Sequence, residues 1–171
     1  GSLFPASNCV ELYDNSTLVM EDYASLRTEY GIGIKGFCVY IFGKNAKAYF
    51  KSQSINWGSK GSISSNQKDS VIVIDSGVFS SKGRKNAIKT DGTIIINDGN
   101  VKDILGSRNS KIFLNGGTIG NTRDLNPKVP ITVYNEMYFT GGKNYVNRNW
   151  CSYRSSYRYR SRYWYRPRNF K

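Results

Sequence analysis

Histidine is absent from this 171-residue chain. That removes the side chain that titrates near neutrality and the commonest ligand for transition metals. General acid–base chemistry would fall to carboxylates, Lys, Arg or Tyr, so an enzyme is harder to argue than a binding protein. Cysteine is scarce: Cys9, Cys38 and Cys151 stand far apart. An odd count at such spacings is no disulfide framework, and no CxxC pair offers a zinc site. Acids are also few, with 12 Asp and Glu against 25 Lys and Arg, a net charge of +13. No apolar run reaches eighteen residues, so no membrane-spanning helix is expected. Gly1 and Ser2 read as a cloning scar, which leaves open a signal peptide upstream.

Helix formers are thinly represented, while Val, Ile, Tyr and Phe are common and glycine numbers 17. That bias favours strands and turns. A repeat confirms the direction. VELYDNST (Val10), VYIFGKNA (Val39), VIVIDSGV (Val71), IIINDGNV (Ile94), IFLNGGTI (Ile112) and ITVYNEMY (Ile131) share one pattern. Each opens on Val or Ile, has an aliphatic residue two places on, and reaches Asp, Gly or Asn at its fifth position. The alternation is strand chemistry, and the turn former bends the chain at a corner. Spacings of 29, 32, 23, 18 and 19 residues vary while the motif persists. Such variation suits a solenoid that keeps its core strands and lets outer loops differ. The competing reading is an antiparallel sandwich, which predicts hairpins between successive strands.

If the repeats are coils, Val10, Val39, Val71, Ile94, Ile112 and Ile131 form one buried column, and about six coils at ~4.8 Å make a rod on the order of 30 Å long. Asp75 and Asp98 would then be neighbours in a corner column about 5 Å apart. Two carboxylates that close can attract a cation or divide acid and base roles, with Lys89 or Arg84 as base in a lyase. The plainer reading, preferred here, makes both corner residues that cap backbone amides. Cys9 and Cys38 share the column before the repeat's first residue. A ladder of small side chains is preferred there, with a bridge between adjacent coils as the alternative. Trp57, Tyr40 and Tyr49 are candidates for stacking on sugar rings, whereas Phe50 reads as core.

AIKTDGTIIINDG (87–99) and GIGIKGFCVYIFG (31–43) resemble the coil consensus of right-handed parallel β-helix proteins of the pectate-lyase-like superfold. They are most similar to bacterial surface carbohydrate-binding β-helix domains, over residues 10–140. The resemblance implies an extracellular, cell-surface or virion setting and glycan ligands. Such families often bind calcium through acidic corner residues. Here the corner column alternates Asp with Gly and Asn, so no metal and no cofactor is assigned.

The expected organisation is an all-β, right-handed parallel β-helix of about six coils in residues 1–142. A basic aromatic segment, 143–171, packs on the body or extends from it, and a capping role is expected. From Lys143 onward there are nine Lys or Arg, six Tyr, two Trp and no acid. True disorder is poor in aromatics, so a merely solvated tail is disfavoured. As a strand, Tyr157–Arg160 would put aromatics on one parity and arginines on the other. One face would cover the open end of the solenoid and the other would seek anions. The candidate binding residues are Trp57, Trp150, Arg154, Tyr157, Arg158, Tyr159, Arg160, Arg162, Tyr163, Trp164 and Arg166. The expected function is a non-enzymatic adhesin or glycan-binding module on a bacterial surface or phage tail, taking an anionic polysaccharide or cell-surface glycan. A nucleic-acid-binding or virion-assembly protein is the alternative, because cations with stacking aromatics also suit single strands. A polysaccharide lyase or hydrolase comes third, and a homo-oligomer stays open.

Overall fold

The computed structural model describes residues 8–21, 24–27, 36–53, 55–81, 86–120, 131–146, 149–152 and 157–159. Among them there are strands and turns but no helix, and hence none long and apolar enough to cross a membrane. In chain order the strands begin with β1 (Val10–Leu12), β2 (Thr17–Met20), β3 (Leu26–Arg27), β4 (Phe37–Ile41), β5 (Lys47–Phe50) and β6 (Ile55–Gly58). They continue with β7 (Gly61–Ser65), β8 (Val71–Ile74), β9 (Val78–Ser81), β10 (Ile88–Thr90), β11 (Thr93–Ile96), β12 (Asn100–Val101) and β13 (Ile104–Gly106). The last are β14 (Lys111–Leu114), β15 (Thr118–Ile119), β16 (Ile131–Val133), β17 (Glu136–Phe139), β18 (Lys143–Val146), β19 (Asn149–Ser152) and β20 (Tyr157–Tyr159).

Three sheets result, and within each the strand number rises by three, except at the last step of sheet C, from β18 to β19. Sheet A runs β1-β4-β7-β10-β13-β16, sheet B β2-β5-β8-β11-β14-β17-β20, and sheet C β3-β6-β9-β12-β15-β18-β19. Every pairing from β1 to β18 is parallel; β19 on β18 and β20 on β17 are antiparallel. Hairpins between repeat strands, which a sandwich requires, do not occur among these pairings. The architecture is all-β with three parallel sheets, the pattern expected of a β-helix or solenoid.

Alternation sets which side chains meet inside. On sheet B, Ala48, Ile72, Ile94, Ile112 and Met137 pair in one inward column, and Met20, Phe50, Ile74, Ile96, Leu114 and Phe139 in the next. On sheet A, Val39, Ile63, Ile88, Ile104 and Ile131 do the same. Phe50 and Phe79 meet edge to face across the interior, ring centres 4.9 Å apart. Each such buried aliphatic or aromatic side chain contributes about 1.5–3 kcal/mol from area alone. Polar atoms in the A–B corner are paired: Ser65 and Ser70 hydroxyls lie 2.6 Å apart, and Ser110 Oγ donates to the Ser107 carbonyl at 2.8 Å. Buried hydroxyls need such partners.

The expected single column of Val10, Val39, Val71, Ile94, Ile112 and Ile131 is corrected. Val10, Val39 and Ile131 belong to sheet A, while Val71, Ile94 and Ile112 belong to sheet B. Val71 pairs with Thr93 rather than Ile94, and so takes the outward parity. The reason is that each passage of the chain carries two aliphatic strands, each followed by a corner. The motif fits either of them.

The B–C corner is built on glycine. Gly77, Gly99, Gly117 and Gly142 immediately precede the registered residues Val78, Asn100, Thr118 and Lys143. Their φ values are 112°, 106°, 76° and 92°. A Cβ at Gly99 would lie 2.8 Å from the Gly77 carbonyl oxygen, and one at Gly117 would lie 2.7 Å from that of Gly99. Positive φ and close stacking both demand a residue without a side chain.

Candidate functional site

Inward columns fill the core, so ligand contacts fall to the outward columns. On sheet B the outward middle column is Val19, Tyr49, Val73, Ile95, Phe113 and Tyr138. Phe113 and Tyr138 stack with ring centres 4.6 Å apart and planes within 5°. Tyr138 also donates its hydroxyl to Glu136 at 2.8 Å. The column to one side carries exposed Lys47 and Lys111. The column to the other is a hydrogen-bonded ladder. Asn97 Nδ2 donates to Asp75 Oδ1 at 2.7 Å, Asn115 Nδ2 to Asn97 Oδ1 at 2.8 Å, and Thr140 Oγ1 to Asn115 Oδ1 at 2.7 Å.

The C-terminal segment joins this face through its backbone. Strand β20 pairs with β17 so that Tyr157 is opposite Phe139, Arg158 opposite Tyr138, and Tyr159 opposite Met137. Strand β19 pairs with β18, setting Trp150 opposite Tyr145 and Cys151 opposite Asn144. Trp57, half-buried on β6, registers with Ser80 and Arg27 on sheet C, away from this face. Arg154, Arg160, Arg162, Tyr163, Trp164 and Arg166 lie outside the described residues.

Asp75 and Asp98 are not stacked partners, and this corrects the pairing expected from the repeat. Ile74 registers with Ile96, so Asp75 is followed in its column by Asn97. Asp98 instead accepts from the Gly99 amide at 2.7 Å. Both carboxylates are exposed. Lys89 stands on β10 in sheet A, so the proposed base and Asp75 belong to different faces; Arg84 lies outside the described residues. The slip of one residue arises because TIII in β11 offers two aliphatic parities. Cys9 and Cys38 do share a register, since Val10 pairs with Val39. Cys38 is buried, Cys9 is exposed, and neither is in a disulfide. Among the described residues no group of three or more Cys, Asp or Glu side chains is placed to hold a metal ion.

Sheet A carries a second outward surface, which sequence reasoning did not assemble. At one end Tyr13 and Phe42 meet edge to face at 4.5 Å, Phe42 lies 5.5 Å from Tyr40, and Tyr40 lies 5.7 Å from Phe37. At the other end Lys89, Asp91, Leu105, Ser107, Arg108 and Tyr134 line an open depression of about 380 Å³. The signal was present: Lys89 and Asp91 flank the inward Thr90, and Tyr134 directly follows the inward Val133. Only the register of β10, β13 and β16 brings them together. No protein-family model, curated protein or solved structure matches this chain.

Proposed function

We propose that the chain is a non-enzymatic glycan-binding module, a surface adhesin of a bacterial cell or phage tail. Its body is a right-handed parallel β-helix of six coils, of the pectate-lyase-like kind, and its Arg- and Tyr-rich C-terminus both covers the last strands and takes the ligand. One observation carries the reading. Strand β20 extends sheet B in the register that sets Arg158 opposite Tyr138, whose ring stacks on Phe113. Paired strand positions that face each other share a side of the sheet. An arginine position in register with a stacked aromatic pair, with Lys111 one column away, would combine flat apolar surface for sugar C–H groups with cations for carboxylate or sulfate. Covering the free edge of β17 with an antiparallel strand also removes a site of unwanted strand addition.

Two measurements test the two halves of this role. Changing Arg158, Arg160, Arg162 and Arg166 to Gln should weaken binding of acidic polysaccharides on a glycan array, most at low salt, where screening is least. Changing Tyr157, Tyr159 and Trp164 to Ser should lower the unfolding temperature if these side chains cover the last strands, because burying an aromatic side chain contributes about 1.5–3 kcal/mol. If a chain lacking residues 152–171 keeps both its stability and its binding, the proposal fails. Single-stranded DNA belongs on the same array, because cations and aromatics also bind bases. Preference for DNA over every glycan would move the chain to the nucleic-acid class.

The non-enzymatic half predicts no cleavage of acidic polysaccharides by the parent protein. Asp75→Asn and Asp98→Asn should therefore have no turnover to abolish. Detectable cleavage that either change removes would restore the lyase reading.

A further inference from the structure

We infer that the depression on sheet A is a second binding site, for a carboxylate-bearing sugar unit within a linear glycan. The inference rests on the glycan-binding reading but not on the C-terminal segment. Three adjacent strands build the site. Lys89, Leu105 and Thr132 pair along one outward column of β10, β13 and β16. Asp91, Ser107 and Tyr134 continue each strand by one further outward residue, their amides donating to Ser65, Thr90 and Gly106 carbonyls at 3.0, 3.0 and 3.3 Å. Arg108 follows Ser107 into the corner, exposed.

Chemistry narrows the ligand. Lys89 and Arg108 put two cations against the single carboxylate of Asp91, so the depression favours an anion. Among the described residues no ion pair engages Lys89, Asp91 or Arg108. Tyr134 is 47% exposed, a large aromatic surface left open at the lip of the site. Aromatic faces present a partial negative charge suited to the polarised C–H groups of a sugar ring. Asp91 and Ser107 supply acceptors for sugar hydroxyls, and the cations supply charge-assisted hydrogen bonds to a carboxylate.

The row geometry explains why the glycan would be linear. Neighbouring strands lie roughly 4.8 Å apart, comparable to one sugar ring. The outward column that ends at Tyr134 begins at Tyr13 and passes through Phe42, Asn66, Asp91 and Ser107. From Phe42 to Tyr134 is four rows, or roughly 19 Å. A chain of about four sugars lying along the stacking direction would meet aromatics at both ends and the two cations near one of them.

The test uses the full chain and isothermal titration with four probes: tetramers of galacturonate, of glucuronate and of mannuronate, and a carrageenan tetrasaccharide, which carries sulfate and no carboxylate. Carboxyl-reduced tetramers serve as neutral controls. At least one uronate tetramer should bind, its reduced form should bind at least tenfold more weakly, and Lys89→Gln with Arg108→Gln should cost about the same factor. Tyr134→Ala should weaken the uronate and its neutral counterpart alike. Lys60→Gln, which removes an exposed cation between β6 and β7, should leave uronate affinity unchanged, and this separates the site from an effect of net charge. Unchanged unfolding temperatures would show that the exposed-site variants fold. The inference is overturned if no uronate binds, if the reduced tetramers bind equally, if only the sulfated probe binds, or if affinity follows Lys60 as much as Lys89 and Arg108.

Discussion

Phe79→Ala should cost about 3–5 kcal/mol of stability, the range for removing a buried phenylalanine. Phe79 is fully buried on sheet C, and its ring meets that of Phe50, equally buried on sheet B, edge to face. The substitution therefore removes both the area term and a cross-interior contact between two sheets. For a chain of this size each kcal/mol lowers the unfolding temperature by about 2–4 °C, so a fall of roughly 6–20 °C is expected. A double-mutant cycle with Phe50→Ala should give a coupling of about 0.5–1.5 kcal/mol, the usual value for an aromatic pair beyond its burial. Val78→Ser is the control. Val78 adjoins Phe79 but is 40% exposed, and its change should stay within about 0.5 kcal/mol. Equal losses for Phe79 and Val78 would mean that the parity of β9 has been assigned the wrong way round.

Parity was read correctly on β11 and β14, where Ile94 and Ile112 are buried, and wrongly on β8, where Val71 faces outward. VIVI, TIII and KIFL show period-two alternation, and Ile72, Ile74, Ile94, Ile96, Ile112 and Leu114 are all fully buried. Strand chemistry was therefore legible, and so was the parallel, corner-linked connectivity, because Asp, Gly and Asn recur after each aliphatic run. Register was not. A run such as Thr93–Ile96 presents an isoleucine on either parity, and only its hydrogen bonds to β8 and β14 decide between them. The same ambiguity placed Asp98 beside Asp75, where Asn97 stands. Sheet identity was hidden for a related reason. The corner after Leu12 leads from A to B and the corner after Ile74 leads from B to C, yet both read as an aliphatic run followed by a turn former.

The candidate binding surfaces divide along the same line. Arg158 and its aromatic neighbours were visible through local composition, since nine basic residues and no acid in 29 positions need no fold to be noticed. Lys89, Arg108 and Tyr134 were not visible as a group. They are separated by 19 and 26 positions in the chain and become neighbours only when three strands stack in register. A solenoid makes sites of this kind whenever outward residues of successive coils align, and no local motif records them.

Gly99→Ala should be strongly destabilising. At φ 106° Gly99 sits outside even the left-handed region that Asn and Asp tolerate, in backbone space reserved almost wholly for glycine. Strain of that kind costs about 1–3 kcal/mol by itself. The added methyl would also approach the Gly77 carbonyl oxygen to 2.8 Å, and that oxygen already accepts the Asn100 amide at 2.7 Å. Relief by moving the backbone is blocked from the other side, because the Gly99 carbonyl accepts the Thr118 amide at 2.8 Å and supports Gly117 in the next row. A local shift would therefore propagate through Gly77, Gly99 and Gly117. The expected loss is about 2–4 kcal/mol, combining backbone strain with overpacking. Asn45→Ala offers a contrast. Asn45 also has positive φ, at 54°, but it is exposed in the A–B corner and within the left-handed region, so its loss should stay near 1 kcal/mol. Thermal unfolding of the two variants ranks them directly. If Gly99→Ala unfolds no earlier than Asn45→Ala, the B–C corner does not hold the stacked glycine geometry, and the alignment of sheets B and C across it has to be redrawn.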